Sequence, residues 1–253
     1  MRSYLAFTQK EFCEAARTYK LLIMAAVFAL FGMMNPITAK ITPQMLDALM
    51  PPEMKITLGE PTAMDSWAQF FKNVPQMGLI VLVIVFSGIM ANEFSRGTLI
   101  NVLTKGLARS TVILAKFTMS ASLWTVSYVL CFGLTYIYTA YFWKNAAPPN
   151  LLFSVFCLWL FGVLLLASVI LGGVLFKSNY ACLLFTGGFV VVLFLINIIP
   201  QVQKYNPVGL AENNMPLLKN AMSADFAWPV ALCCVMIIGF VGAAVALFNK
   251  KQL

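Results

Sequence analysis

Residues 91–117 read ANEFSRGTLINVLTKGLARSTVILAKF, and this short stretch decides how the rest of the chain is organised. It holds four of the 17 cations, Arg96, Lys105, Arg109 and Lys116, against one acid, Glu93, and it separates two long apolar runs. The chain around it is too poor in charge to face water. Of 253 residues, 61% are hydrophobic and 10% charged, and the mean hydropathy is +0.86. Soluble domains carry about 25% charge and about half apolar residues, so most of this surface must face lipid. The chain is therefore counted in spans, each of ~20 apolar residues.

Outward from the stretch, six spans are predicted. They cover about 21–38, 74–91, 117–142, 151–176, 181–199 and 227–248. The first is interrupted near its outer end by Asn35 and Pro36. The expected fold is an all-α integral membrane protein, a single domain over 1–253. Placing both termini inside puts eleven Lys and Arg on that side and six on the other, and it leaves the outer side electrically neutral. Lys and Arg in short loops favour the cytoplasmic face. The net charge of +8 is thus a topology signal and not a nucleic-acid footprint.

Several chemistries are absent from the sequence. It has no histidine and no G-x-x-x-x-G-K-[ST] phosphate loop, so it is no P-loop ATPase itself. Its six cysteines include no C-x-x-C and are read as small packing residues without a disulfide. The 14 methionines are scattered and are likewise read as packing residues. No metal site and no catalytic residue is expected.

Two pieces outside the spans have readable structure. Residues 1–19 place Tyr4, Leu5, Thr8, Phe12, Ala15, Ala16 and Tyr19 on one helical face and Arg2, Gln9, Lys10, Glu14 and Arg17 mostly on the other. Such a helix lies in the membrane interface with its cations towards headgroups. Within 93–109, Gly97 gives a sharp entry, Thr98 an N-cap and Gly106 a stop. The helix between them presents Leu99, Ile100, Val102 and Leu103 and ends on Lys105, which suits the negative end of its dipole. Ser110 is placed to cap the next helix. A helix of two turns is marginal alone, so its apolar face needs a receptor: the membrane interface or a groove on a partner.

Glu93, then RGTL, a short helix and ARSTVILAKF resemble the loop between the second and third spans of ABC-2-type transporter permeases. The resemblance runs over nearly the whole chain, including the irregular segment YNPVGLAENNMPLLKNAMS before the last span. Bacitracin-resistance, sodium-export and lantibiotic-immunity permeases are similar in size and layout. Where many members have a proline before the arginine of this loop, this sequence has GLAR. The resemblance implies that residues 1–19 are an elbow helix and 93–109 a coupling helix docking into a cytoplasmic ABC ATPase. Glu93, Arg96, Gly97, Thr98, Leu99, Ile100, Leu103, Lys105 and Arg109 are then the coupling residues. It also implies two ATPase copies that bind ATP and Mg, a second permease, identical or sibling, and a bacterial cytoplasmic membrane. The chain itself would be a non-catalytic permease subunit.

Cargo is less legible. Ionisable residues inside a membrane are the usual functional sites, and by the span limits above no Asp, Glu, Lys or Arg lies deep. The polar candidates for a substrate pathway are Asn35, Ser122, Thr125, Ser127 and Asn197, although uncharged hydroxyls more often join helices together. An apolar path suits an amphipathic, peptide-like or lipid-like substrate. A channel or secondary transporter independent of ATP is the competing reading. A membrane-embedded enzyme lacks any histidine or buried acid to work with.

Overall fold

The computed structural model describes residues 2–49, 60–97, 103–104, 106–144, 147–176, 178–219 and 226–251. All regular structure among them is helical. The elements are α1 (Arg2–Arg17), α2 (Lys20–Leu49), α3 (Ala63–Asn73), α4 (Leu79–Arg96), α5 (Arg109–Phe142), α6 (Leu151–Leu175), α7 (Asn179–Asn197), α8 (Pro200–Gln203), α9 (Gly209–Glu212), α10 (Asn214–Leu218) and α11 (Ala227–Lys250). A π-helical turn, Val74–Gly78, joins α3 to α4. Among the described residues six helices are long and apolar enough to cross a membrane. They are α2, the α3–α4 unit, α5, α6, α7 and α11, called spans 1 to 6. The protein is a multi-pass membrane protein of six spans. With spans running alternately up and down, α1, the 97–108 loop and the C-terminus share one end, called here the terminal end. The other is the far end.

Three span limits differ from the sequence reading, each for a local reason. Span 1 does not end near 38 but runs on through both Pro36 and Pro43. Pro36 has no N–H to give the Gly32 carbonyl, and the Thr135 hydroxyl of span 3 donates to that carbonyl instead, at 3.1 Å. Re-satisfying a freed carbonyl from a neighbouring helix is what lets proline sit inside a membrane helix. Gly32 permits the approach, because a Cβ there would lie 2.8 Å from the Cys131 carbonyl oxygen.

Span 2 begins at Ala63 and not at 74. The Asp65 carboxylate accepts from the backbone N–H of Thr62 at 2.8 Å and from its hydroxyl at 2.9 Å, closing the first turn. Pro75 then removes a helical donor, and the chain widens into the π turn, where the Leu79 N–H reaches back to Val74 O. Span 3 begins at Arg109, with Ala108 and not Ser110 in the N-cap position.

Span 4 is the central post. Most of it is buried, whereas spans 5 and 6 leave most of their surface uncovered by the rest of the chain. Its joint with span 3 is an indole exchange. Trp124 Nε1 donates to the Trp159 carbonyl and Trp159 Nε1 to the Thr125 hydroxyl, both at 3.0 Å. Gly162 makes room, since a Cβ there would sit 2.5 Å from the Trp124 ring.

After span 5 the chain turns back into the far end of the bundle. Asn206 donates to Leu193 O at 2.7 Å and accepts from the Val208 N–H at 3.1 Å. Val208, Leu210, Leu217 and Leu218 are fully buried beneath it. Irregular backbone at this depth is tolerated only when protein covers it, and here α9 and α10 pack on span 4. The cysteines among the described residues are all free, four of them buried, in line with a packing role.

Candidate functional site

Two polar features stand out, one at each end. At the terminal end, five charged side chains form one network. Lys116, 1% exposed, pairs with Glu11 at 2.8 Å and with Glu93 at 2.9 Å. Lys10 pairs with Glu11 at 3.0 Å, Glu14 at 2.6 Å and Glu93 at 3.1 Å. Glu11 is 2% and Glu93 6% exposed. The network therefore bolts α1 to spans 2 and 3 immediately before the 97–108 loop. Burial alone would lower the Lys10 ammonium, but its bond to Glu14 and the nearby Glu11 and Glu93 carboxylates hold its pKa above the ordinary value. Burial would likewise raise Glu14; the Lys10 ammonium outweighs it and lowers the carboxyl. Glu11, Glu14 and Glu93 bring carboxylate oxygens within 4.8 Å of one another, a spacing that suits a cation. Lys10 and Lys116 already supply that positive charge.

This network corrects the sequence reading in four ways. Lys116 is an ionisable residue inside a span. It was assigned to the loop because the apolar run was taken to begin at 117. Glu93, expected to face a docked protein, turns inward. The inward ridge of α1 is Tyr4, Phe7, Glu11 and Ala15, with the Tyr4 hydroxyl 2.7 Å from that of Thr118. Leu5, expected on that ridge, is 64% exposed, because the Glu11–Lys116 pair rotates the helix. Leu103, expected to present itself to a receptor, packs against the chain's own core.

The loop's exit is tied as firmly. Arg109 Nη1 donates to the carbonyls of Phe248 at 2.8 Å, Asn249 at 3.3 Å and Lys251. It thus satisfies carbonyls that the end of span 6 leaves open. Lys251 in turn donates to Val174 O of span 4 and lies 4.7 Å from the Phe94 ring. Arg109 is therefore a cap on span 6, not a free docking contact. Gly97 and Gly106 take φ of +65° and +87°, the left-handed turns expected of them. Thr98, Leu99, Ile100 and Lys105 lie outside the described residues, as does the Arg96 side chain.

The second feature is a cleft of about 780 Å³ between spans 2, 4 and 5, closed at the far end by α9. Its walls are apolar, with Leu79, Ile80, Val83, Phe161, Leu183 and Phe194 among them. The polar side chains on it are Lys72, Gln76 and Glu212 near the far end and Thr186 in the wall. Pro75 and Gln76 belong to the π turn, so the widened turn forms part of the rim. Partial burial raises the Glu212 carboxyl above its ordinary value.

The predicted pathway residues do not gather here. Asn35 is buried, donating to Thr135 at 3.3 Å and accepting from Asn73 at 2.8 Å. Thr125 serves the indole exchange and donates to Ala121 O at 2.7 Å. Ser122 lies in a shallow depression on span 3, and Ser127 is buried within that span. Asn197 alone adjoins the cleft, its amide donating to Glu212 at 3.1 Å. Lys72, Thr186 and Glu212 were missed. Nothing in the linear sequence links positions so far apart.

No family model matches the chain. It is 21% identical over 246 residues to the uncharacterized transmembrane protein YxlG of Bacillus subtilis (strain 168), covering 94% of this chain and 95% of that one.

Proposed function

We propose that this chain is the permease subunit of an ATP-driven exporter in a bacterial cytoplasmic membrane, with both termini cytoplasmic. In this reading it works with two copies of a separate ABC ATPase and a second permease. The observation that carries the reading is the double anchorage of the 97–108 loop. Its entry is held by Glu93 to Lys10 and Lys116, and its exit by Arg109 to the end of span 6. A push on such a loop is delivered at once to α1 and spans 2, 3 and 6. Buried ion pairs strain poorly, because separating them leaves an uncompensated charge. The cleft lies on span 2, whose other end is part of this joint, and is the natural place for an amphipathic cargo.

The test is whether a neighbouring gene encodes an ATPase with a phosphate loop and whether that ATPase co-purifies with this chain, followed by ATP hydrolysis and transport in vesicles. Leu99→Ser with Ile100→Ser should leave the fold intact, weaken ATPase binding by about tenfold and uncouple transport from hydrolysis. Normal binding and transport in this double variant would leave the loop as a topological anchor only. Leu103→Ser is a control for stability, since that side chain packs inward.

One observation favours the second reading, a secondary transporter. Buried Glu11, Glu93 and Lys116 are the kind of residues that ion-coupled carriers use. Each of them is already ion-paired within the network, and none of them lines the cleft. Transport that survives a hydrolysis-dead ATPase but stops when ion gradients are collapsed would decide for the carrier.

A further inference from the structure

We infer that the cleft between spans 2, 4 and 5 binds a zwitterionic membrane amphipath, its ammonium at Glu212 and its anionic group at Lys72. This deepens the export reading by naming a cargo class, and it rests on that reading only for the cargo's direction of travel.

The entrance points to the bilayer. Ile80, 58% exposed, and Ile84, about as exposed, are outer-wall residues of span 2, and Phe194 faces out from span 5. A molecule reaching the walls between them comes sideways from lipid. The walls offer it an apolar bed, and the volume lies within the roughly 300–1,000 Å³ of small-molecule sites.

The polar groups are placed for a head and not for a tail. Both signs of charge occur on the cleft, on Lys72 at the end of α3 and on Glu212 at the end of α9. Among the described residues no ion pair joins them. Asn197 spends its amide on Glu212 and leaves its own carbonyl oxygen buried without a partner. Glu212, an acceptor-only carboxylate held in place by the Asn197 amide, is the group on the cleft that an ammonium requires. Lys72 presents only donors, which suits phosphate or carboxylate. A purely anionic amphipath would leave Glu212 opposed, and a purely cationic one would oppose Lys72.

A second, independent sign of a ligand lies in the wall. Thr186 is 1% exposed, lines the cleft, and its hydroxyl has no hydrogen-bond partner. Buried hydroxyls are nearly always satisfied, and helical threonines usually bond back to their own carbonyls. The Thr186 hydroxyl is available to an ester or amide carbonyl at the start of an acyl chain. The head, linker and chain of one molecule thus find Glu212 with Lys72, Thr186, and the apolar wall in turn.

The experiment uses the full chain in detergent micelles of low competing affinity. Binding of three single-chain probes of equal length is measured: lysophosphatidylethanolamine, lysophosphatidylglycerol and dodecylamine. The zwitterion should bind at least tenfold more tightly than the other two. Glu212→Gln and Lys72→Gln should each lose about tenfold for the zwitterion, and Thr186→Val about threefold. The reversed pair Lys72→Glu with Glu212→Lys should regain most of the affinity, which a merely misfolded variant cannot do. Equal binding of all three probes, or a Glu212→Gln variant unchanged for the zwitterion, would overturn the inference. Since no ATPase is present in this assay, its outcome is read separately from that of the coupling test.

Discussion

The two ends of this bundle treat polar side chains in opposite ways. At the terminal end, charges are paired and shared among three elements around a buried centre, where Lys116 serves two carboxylates. At the far end, Lys72 and Glu212 stand on the rim of an apolar cleft with no ion pair between them among the described residues. The first arrangement gives its energy to holding helices together. The second leaves its charges available to something that arrives. Their difference in burial separates a joint from a receptor, and the same difference predicts how each responds to mutation.

The largest effect should come from the joint. Lys116→Met strips two buried carboxylates of their buried partner and leaves them only the half-exposed Lys10, and losses of this kind cost about 3–5 kcal/mol. A strongly lowered thermal midpoint in detergent, or loss of folded yield, is expected. Glu212→Gln and Lys72→Gln should stay within about 0.5 kcal/mol of the parent, the usual range for exposed positions. If the cleft variants proved as unstable as Lys116→Met, the contrast between the ends would fail.

Glycines sharpen the same comparison at an intermediate scale. Gly162→Ala drives a Cβ into the Trp124 ring, and overpacking of this kind costs about 1–3 kcal/mol. Gly187→Ala, on the cleft wall, meets nothing within 4 Å. It should leave the thermal midpoint unchanged while weakening lysophosphatidylethanolamine binding. Asn35→Ala, which deprives Thr135 and Asn73 of a partner, should fall alongside Gly162→Ala, at about 1–3 kcal/mol.

The smallest effect is on pH. Glu14 is lowered from its ordinary 4.5, so its contribution is complete above that value and fades as pH falls through the folded value. Lys10 is raised from 10.5, so its contribution is complete below that value and is lost as pH rises through the folded one. Between them Glu212, raised above 4.5, lets stability fall slightly as it ionises, and at the acid end lies a shoulder that Glu14→Gln removes. A shoulder that persists in Glu14→Gln would assign it to another acid.

Spans, loop turns and the absence of disulfides among the described residues were legible because each is written in contiguous sequence. Apolar length marks a span, and Gly97 and Gly106 mark the left-handed turns. The site was legible only in part. The loop stood out by its cations, but Glu93, Leu103 and Arg109 were assigned to a partner when their own chain takes them up. A hydrophobic window cannot see that Glu11, 105 positions before Lys116, will neutralise it. The same holds for Pro36, which reads as an interruption of its span until Thr135 supplies the missing hydrogen. The cleft was invisible for the same reason. Its charges sit on α3 and α9, and its orphan hydroxyl looks like any threonine in an apolar run.

The Arg109 cap carries a consequence for how this protein tolerates sequence change. Its acceptors are the backbone carbonyls of Phe248, Asn249 and Lys251, which every amino acid possesses. Phe248 and Lys251 are held by contacts of their own, but the hydrogen bonds of the tie ask nothing of the side chains at those three positions, while Arg109 cannot change. A saturation scan should therefore find Asn249 tolerant where Arg109 is not, and pairwise covariation should be weak for a contact that fastens the third span to the sixth. Shortening the last helix by a turn, not altering its letters, is the genetic lesion equivalent to losing the arginine.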